Sequence, residues 1–209
     1  MSKWAAEIEE DLKWREAELG SLKLAAVSAP PKSDRQRALL RALWTMLYAH
    51  YEGFCKFCWD LFLSEIERDG CLRSKAVESI AILSLSKTFQ ELRGDTSALA
   101  IWSFAQTKLP DAMREPVAFS SRLETKSNLW ANLARENNAA VGLPTGQIEA
   151  NVSQINAIVG RRNEIAHGKK LVVESLDDYS TYEQAAMLVM HELAVAVVDQ
   201  LDKRSFALP

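Results

Sequence analysis

Apolar and polar positions recur along the chain with the period of about 3.6 residues expected of helices, in long runs separated by few turns. The first run covers residues 2–28, with Trp4, Ile8, Leu12 and Leu19 on one face and Glu7, Glu9, Glu10 and Asp11 on the other. Ala29-Pro30-Pro31-Lys32 breaks it. Ser33-Asp34-Arg35-Gln36 is an S-x-x-Q capping box, and it opens a helix that can run to about Asp69 without proline, Gly53 being its one weak point. From Leu39 to Leu63 that helix is apolar nearly all round, which places it at the centre of its domain or in an oligomer interface. Two further helices are predicted over Ala76–Leu92 and Thr96–Lys108, then a loop from Pro110 to Pro116 and a short extended piece at Val117–Phe119. Trp130–Asn137 reads as a short helix capped by Ser127 or Asn128, and Gly142–Gly146 as a turn. A helix from about Gln147 ends at Gly168, Leu171–Val173 reads as extended, and Ser180-x-x-Glu183 opens a last helix to about Asp202. The pattern predicts an all-α helical bundle in one domain over 1–209, with a helix and linker at 1–30 and a core at about 33–203.

The helix ending at Gly168 carries the chemistry. At about 100° per residue from Ile148, its residues Val152, Ile155, Val159 and Ala166 lie within about 40° of one line, with Ile158 and Ile165 alongside. Arg162 falls inside that apolar stripe, where a guanidinium needs partners. Arg161 falls on the outer face beside Glu164 and reads as a solvated charge. Asn156, Asn163 and His167 line one edge, so an arginine placed for burial sits beside a polar edge ending in histidine. The same pattern also fits a structural arginine–carboxylate pair with a surface histidine. Glu52, in the apolar stretch of the long helix, needs a cation unless it reaches the surface; Arg162, directly or through Tyr48, is the candidate.

Composition narrows the classes. The chain has 209 residues, 48% apolar and 25% charged, with eight glycines and six prolines, which favours helices over a turn-rich β fold. A net charge of −3 means that any nucleic-acid contact must come from a local basic patch. The N-terminus is amphipathic and charged rather than a signal peptide, and no uninterrupted run of 18 apolar residues occurs, so no membrane span is expected. Three cysteines, an odd number, suit free thiols and a cytoplasmic location. Cys55 and Cys58, with His50 and Cys71, can be drawn as a zinc site, but there is no second paired motif and the cysteines lie mid-helix among aromatics. No metal and no cofactor is expected. His191 reads as a packing or surface histidine.

Arg162-Asn163-x-x-x-His167, written RNEIAHG, at the end of an amphipathic helix in an all-α chain resembles the HEPN superfamily of ribonucleases and RNA-binding modules. Three further segments resemble its RiboL-PSP-type branch: Leu47–Lys56, Lys126-Ser127-Asn128-Leu129 and Leu176-Asp177-Asp178-Tyr179. One position departs from the HEPN toxins that pair with minimal nucleotidyltransferases, which usually carry tyrosine two residues after the histidine; here it is Lys169.

The resemblance implies a homodimeric, metal-independent endoribonuclease acting on RNA, in a setting of bacterial defence or toxin–antitoxin conflict, with an antitoxin or other regulatory protein as a partner. It implies catalytic roles for Arg162 and His167, with Asn163 orienting the phosphate or the imidazole. The chemistry fits those residue types. RNA carries its own nucleophile in the 2′-hydroxyl; histidine suits proton transfer near neutral pH, and arginine offers a charged fork for phosphoryl oxygens. Arg161, Lys169 and Lys170 are candidate phosphate contacts, which position RNA but do not specify sequence. The alternative is a non-catalytic RNA- or protein-binding module in which Arg162 is structural.

Overall fold

A computed structural model describes residues 2–170 and 175–209. Four long helices form the frame: α1 (Lys3–Ser28), α2 (Asp34–Asp69), α9 (Val152–Ala166) and α10 (Leu176–Asp202). Between α2 and α9 lie the short helices α3 (Glu78–Ser84), α4 (Ser86–Gly94), α5 (Ala98–Ser103), α6 (Leu109–Met113), α7 (Ala131–Ala140) and α8 (Gly146–Ala150). The fold is all-α, with no strand among the described residues beyond isolated bridges at Leu72–Pro116 and Ala76–Ala207.

The nearly all-round apolarity of α2 is explained by its place. α1, α9 and α10 all pack on it, and Trp44, Tyr51, Phe54, Trp59 and Phe62 are fully buried. These aromatics are spent on the core of one chain and are not offered to a second copy. α1 runs antiparallel to α2, and Gly53 marks the crossing: a Cβ there would meet Arg15 Nη1 at 2.9 Å. Arg15 is buried at that point because Asp11 receives its guanidinium at 2.7 Å and the Trp14 ring lies 4.6 Å from it. α10 has an 18-residue window of mean hydropathy 1.2, long and apolar enough to cross a bilayer; here Val189, Met190, Leu193 and Val197 are buried in the core.

Several boundaries differ from the sequence expectation, each for a local reason. The expected Ala76–Leu92 helix is interrupted at Leu85, whose backbone leaves the helical region between α3 and α4. The Pro110–Pro116 loop is helical as far as Met113: the chain stays helical from Ala98 through a π-helical turn at Phe104–Lys108, and Pro110 directly follows that turn. Neither Ser127 nor Asn128 caps α7; Asn156 Oδ1 accepts the Ala131 N–H at 3.1 Å from outside that helix. α10 starts earlier than Ser180, with Ser175 accepting the Asp178 N–H at 3.2 Å. The helix expected from Gln147 is broken at Asn151, which leaves Val152 42% exposed instead of in the apolar stripe. The extended reading of Leu171–Val173 lies outside the described residues.

The cysteines do not gather into a site. Cys55, Cys58 and Cys71 are free and buried, and burial raises all three thiols above their ordinary range. His50 is buried 2.9 Å from Glu18 without hydrogen-bond alignment, and burial lowers its pKa against the pull of Glu18. No group of three His, Cys, Asp or Glu side chains that would hold a metal occurs among the described residues.

Candidate active site

α9 ends as the glycine rule requires. Gly168 takes φ +75°, the Gly168 N–H reaches Ile165 O at 3.0 Å and the Lys169 N–H reaches Glu164 O at 2.9 Å, the paired bonds of a Schellman motif. This terminus leaves His167 exposed at the helix end. Arg41 of α2 pins the turn by donating to Lys169 O at 3.0 Å, and Lys169 Nζ lies 3.1 Å from Glu164. Lys170 is exposed beside them.

Arg162 is half buried, as its position on the apolar stripe requires. Its guanidinium stacks 3.9 Å above the Tyr48 ring of α2, and Nη2 donates to Ser127 O at 3.2 Å. The Tyr48 hydroxyl in turn accepts the Leu129 N–H at 2.9 Å. The turn before α7 is therefore docked on α2 and α9 by two of its own backbone groups. Lys126 and Ser127 both take positive φ there, 47° and 68°, a left-handed conformation that costs non-glycine residues energy and is held by these contacts. Two buried atoms at this junction, Arg162 Nε and Asn128 Oδ1, lack a hydrogen-bond partner among the described residues.

Glu52 does not form an ion pair with Arg162; Tyr48 stands between them. Burial raises the Tyr48 pKa, the Leu129 N–H opposes this, and the nearby Glu52 carboxylate adds to the rise. Tyr48 thus stays a neutral phenol, with its ring under a cation.

Arg161 is not the solvated charge expected of it. Its guanidinium lies 4.3 Å from the Trp44 ring and 4.8 Å from the Tyr182 ring, with Nη2 at 3.3 Å from the Tyr182 hydroxyl. Adjacent arginines on one helix thus each sit on an aromatic side chain of α2. The wheel missed this because a half-buried arginine reads as surface unless the rings facing it are known. Asn163 is half buried, and its carbonyl accepts the His167 N–H at 2.9 Å. His191 is a surface histidine 3.4 Å from Glu16.

Three of the four segments that carried the resemblance are now in one place: Tyr48 from the first, Ser127 and Leu129 from the second, Arg162 from the third. Tyr179 of the fourth packs edge-on against Trp44 at 5.8 Å, beside the Arg161 stack. The family model described as MAE_28990-like HEPN matches residues 4–206.

The chain is a HEPN protein. The match is to the superfamily named from the sequence and does not assign the RiboL-PSP-type branch. No curated protein and no solved structure matches the chain. HEPN domains are often ribonucleases, which makes the Arg162–His167 end of α9 the candidate active site of this one.

Proposed function

We propose that this HEPN protein is a metal-independent endoribonuclease that cleaves RNA by attack of the 2′-hydroxyl on the adjoining phosphate. His167 takes the 2′-hydroxyl proton as the O2′–P bond forms. Arg162 balances the charge gathering on the phosphoryl oxygens. The P–O5′ bond then breaks and the leaving oxygen is protonated, giving a 2′,3′-cyclic phosphate and a 5′-hydroxyl. Asn163 orients the phosphate or the imidazole, and Lys169 and Lys170 hold flanking phosphates. Arg161, stacked on two rings, serves first to fix α9 and offers its outer edge to the backbone.

The observation that carries this reading is the contrast between the two ends of the motif. Arg162 is fixed by Tyr48 and Ser127, whereas His167 is exposed at a helix terminus where packing gives it no task. About 140° around the helix and about 7.5 Å along it separate the two residues, too much for both to serve one oxygen from one chain. A homodimer solves this if a two-fold axis brings the arginine of one copy to the histidine of the other. Mixing Arg162→Ala and His167→Ala chains tests it. Half the dimers formed are mixed and one of their two clefts is complete, so about a quarter of wild-type cleavage should return. Zero recovery contradicts the shared cleft.

The engagement of Arg162 within the chain favours a second reading, in which the residue is structural and the protein binds RNA or a partner protein without cutting. In that case His167 is dispensable. The genetic setting, defence or toxin–antitoxin conflict with a regulatory partner in the cytoplasm, is proposed from the family alone.

A further inference from the structure

Beside α9 a groove of about 200 Å³ is lined by Trp130, Asn132, Arg135, Ile148, Val152 and Asn156. Trp130 is 38% exposed there. The segment that carries this ring is held by its neighbours: the Trp130 backbone N–H bonds Asn128 O at 3.0 Å, and Leu129 before it is anchored on Tyr48. Asn132 and Arg135 are exposed on α7. Asn156 caps Ala131 through Oδ1, and its Nδ2 donates to no described residue.

From Asn156 the edge of α9 leads to the candidate active site. Gly160, Asn163 and His167 follow at four, seven and eleven residues, all within an arc of about 60°. Gly160 is the informative one. A Cβ there would meet nothing within 4 Å, and its φ is helical, so neither packing nor backbone requires glycine. Mid-helix glycine costs about 1 kcal/mol against alanine. A smooth, half-exposed strip of helix leads from an exposed tryptophan to the candidate histidine. Cations stand at its two ends: Arg135 in the groove and Lys170 beyond His167. Glu164 is already matched by Lys169, and Glu136 is the acidic neighbour on α7.

We propose that this edge is the substrate track, taking a single-stranded segment of RNA with one unpaired base stacked on Trp130. Arg135 holds the adjoining phosphate, the amides of Asn132 and Asn156 meet the base edge, and the strand passes over Gly160 toward His167. The direction of the strand rests on the ribonuclease reading; the binding does not. A duplex cannot use the site, since its bases are stacked on one another and closed to an indole.

The test is the binding of a fluorescein-labelled single-stranded RNA of about 12 nucleotides to the full chain carrying His167→Ala, which removes cleavage. Adding Trp130→Ala should weaken binding by about tenfold or more, and Trp130→Phe, which keeps a stacking face, by no more than about threefold. Gly160→Gln should also weaken it about tenfold while the melting temperature holds or rises, because the side chain fills the track and not the core. The duplex form of the same sequence should bind more weakly than the single strand. Unchanged binding in both Trp130→Ala and Gly160→Gln, or no binding by the parent, overturns the track. The two readings separate cleanly. Trp130-dependent binding by a chain whose wild type never cuts RNA upholds the track and refutes the nuclease. Cutting by the wild type with unaltered binding in both variants does the reverse.

Discussion

Replacing Arg162 by alanine is expected to reduce RNA cleavage by at least about a hundredfold and to lower the melting temperature by several degrees. Both losses have one source. The guanidinium lies on the Tyr48 ring and bonds Ser127 O, so its removal uncovers a buried phenol and frees the acceptor that holds the strained Lys126–Ser127 turn. A cation–π contact and one charge-assisted hydrogen bond, with the site half open to water, are together worth about 1–2 kcal/mol, or about 2–8 °C in a chain of this size. The larger functional loss comes from the charge that is missing when the phosphorane forms, where removal of one stabilising donor costs about a hundredfold or more. Arg162→Lys separates the two effects. An ammonium recovers part of the Ser127 contact but presents no planar fork to either the ring or a phosphoryl group, so stability should return further than activity. Thermal melts and single-turnover cleavage on both variants check this; full activity in Arg162→Ala would remove the arginine from the mechanism.

Trp59→Ala should unfold the protein or bring it close to unfolding. Trp59 is fully buried in the C-terminal half of α2, and its Nε1 donates to Asn138 Oδ1 at 2.8 Å. Asn138 Nδ2 donates in turn to Pro144 O at 2.6 Å, so the indole secures α7 and the turn that leads into α8 and α9. Deleting a buried tryptophan costs about 3–5 kcal/mol, and leaving Asn138 Oδ1 buried without a donor adds about 1–3 kcal/mol. That sum is most or all of the stability of a domain of this kind. Trp59→Phe keeps most of the volume and loses the donor, so about 1–3 kcal/mol is expected, read from urea midpoints. A loss for Trp59→Ala under about 2 kcal/mol would show that the core does not turn on this residue.

The parts of this account that the sequence carried are those set by local rules. Ser33 opens α2, Gly168 closes α9, and the apolar period marks the buried faces of α9 and α10. Arg162 stood out because it interrupts such a face. What local rules do not carry is contact across elements. Nothing near Ala131 predicts that Asn156 caps it. Nothing in Lys126-Ser127 announces two left-handed residues, since neither is glycine or asparagine. The burial of Arg161 depended on Trp44 and Tyr182 coming from two other helices; of the two routes expected from Glu52 to Arg162, the fold takes the one through Tyr48. Trp130 looked like the first residue of a short helix; only the fold leaves its ring open beside α9.

The most direct measurement is RNA cleavage with EDTA present, wild type against His167→Ala, with the chemistry of the fragment ends read out. His167 is exposed and makes no side-chain hydrogen bond or ion pair among the described residues, so the variant should melt with the wild type. The expected result is cleavage by the wild type leaving 2′,3′-cyclic phosphate and 5′-hydroxyl ends, abolished in folded His167→Ala. Equal cleavage by the variant, a requirement for added metal, or no cleavage of any RNA by the wild type would contradict the account and leave a HEPN module that binds without cutting.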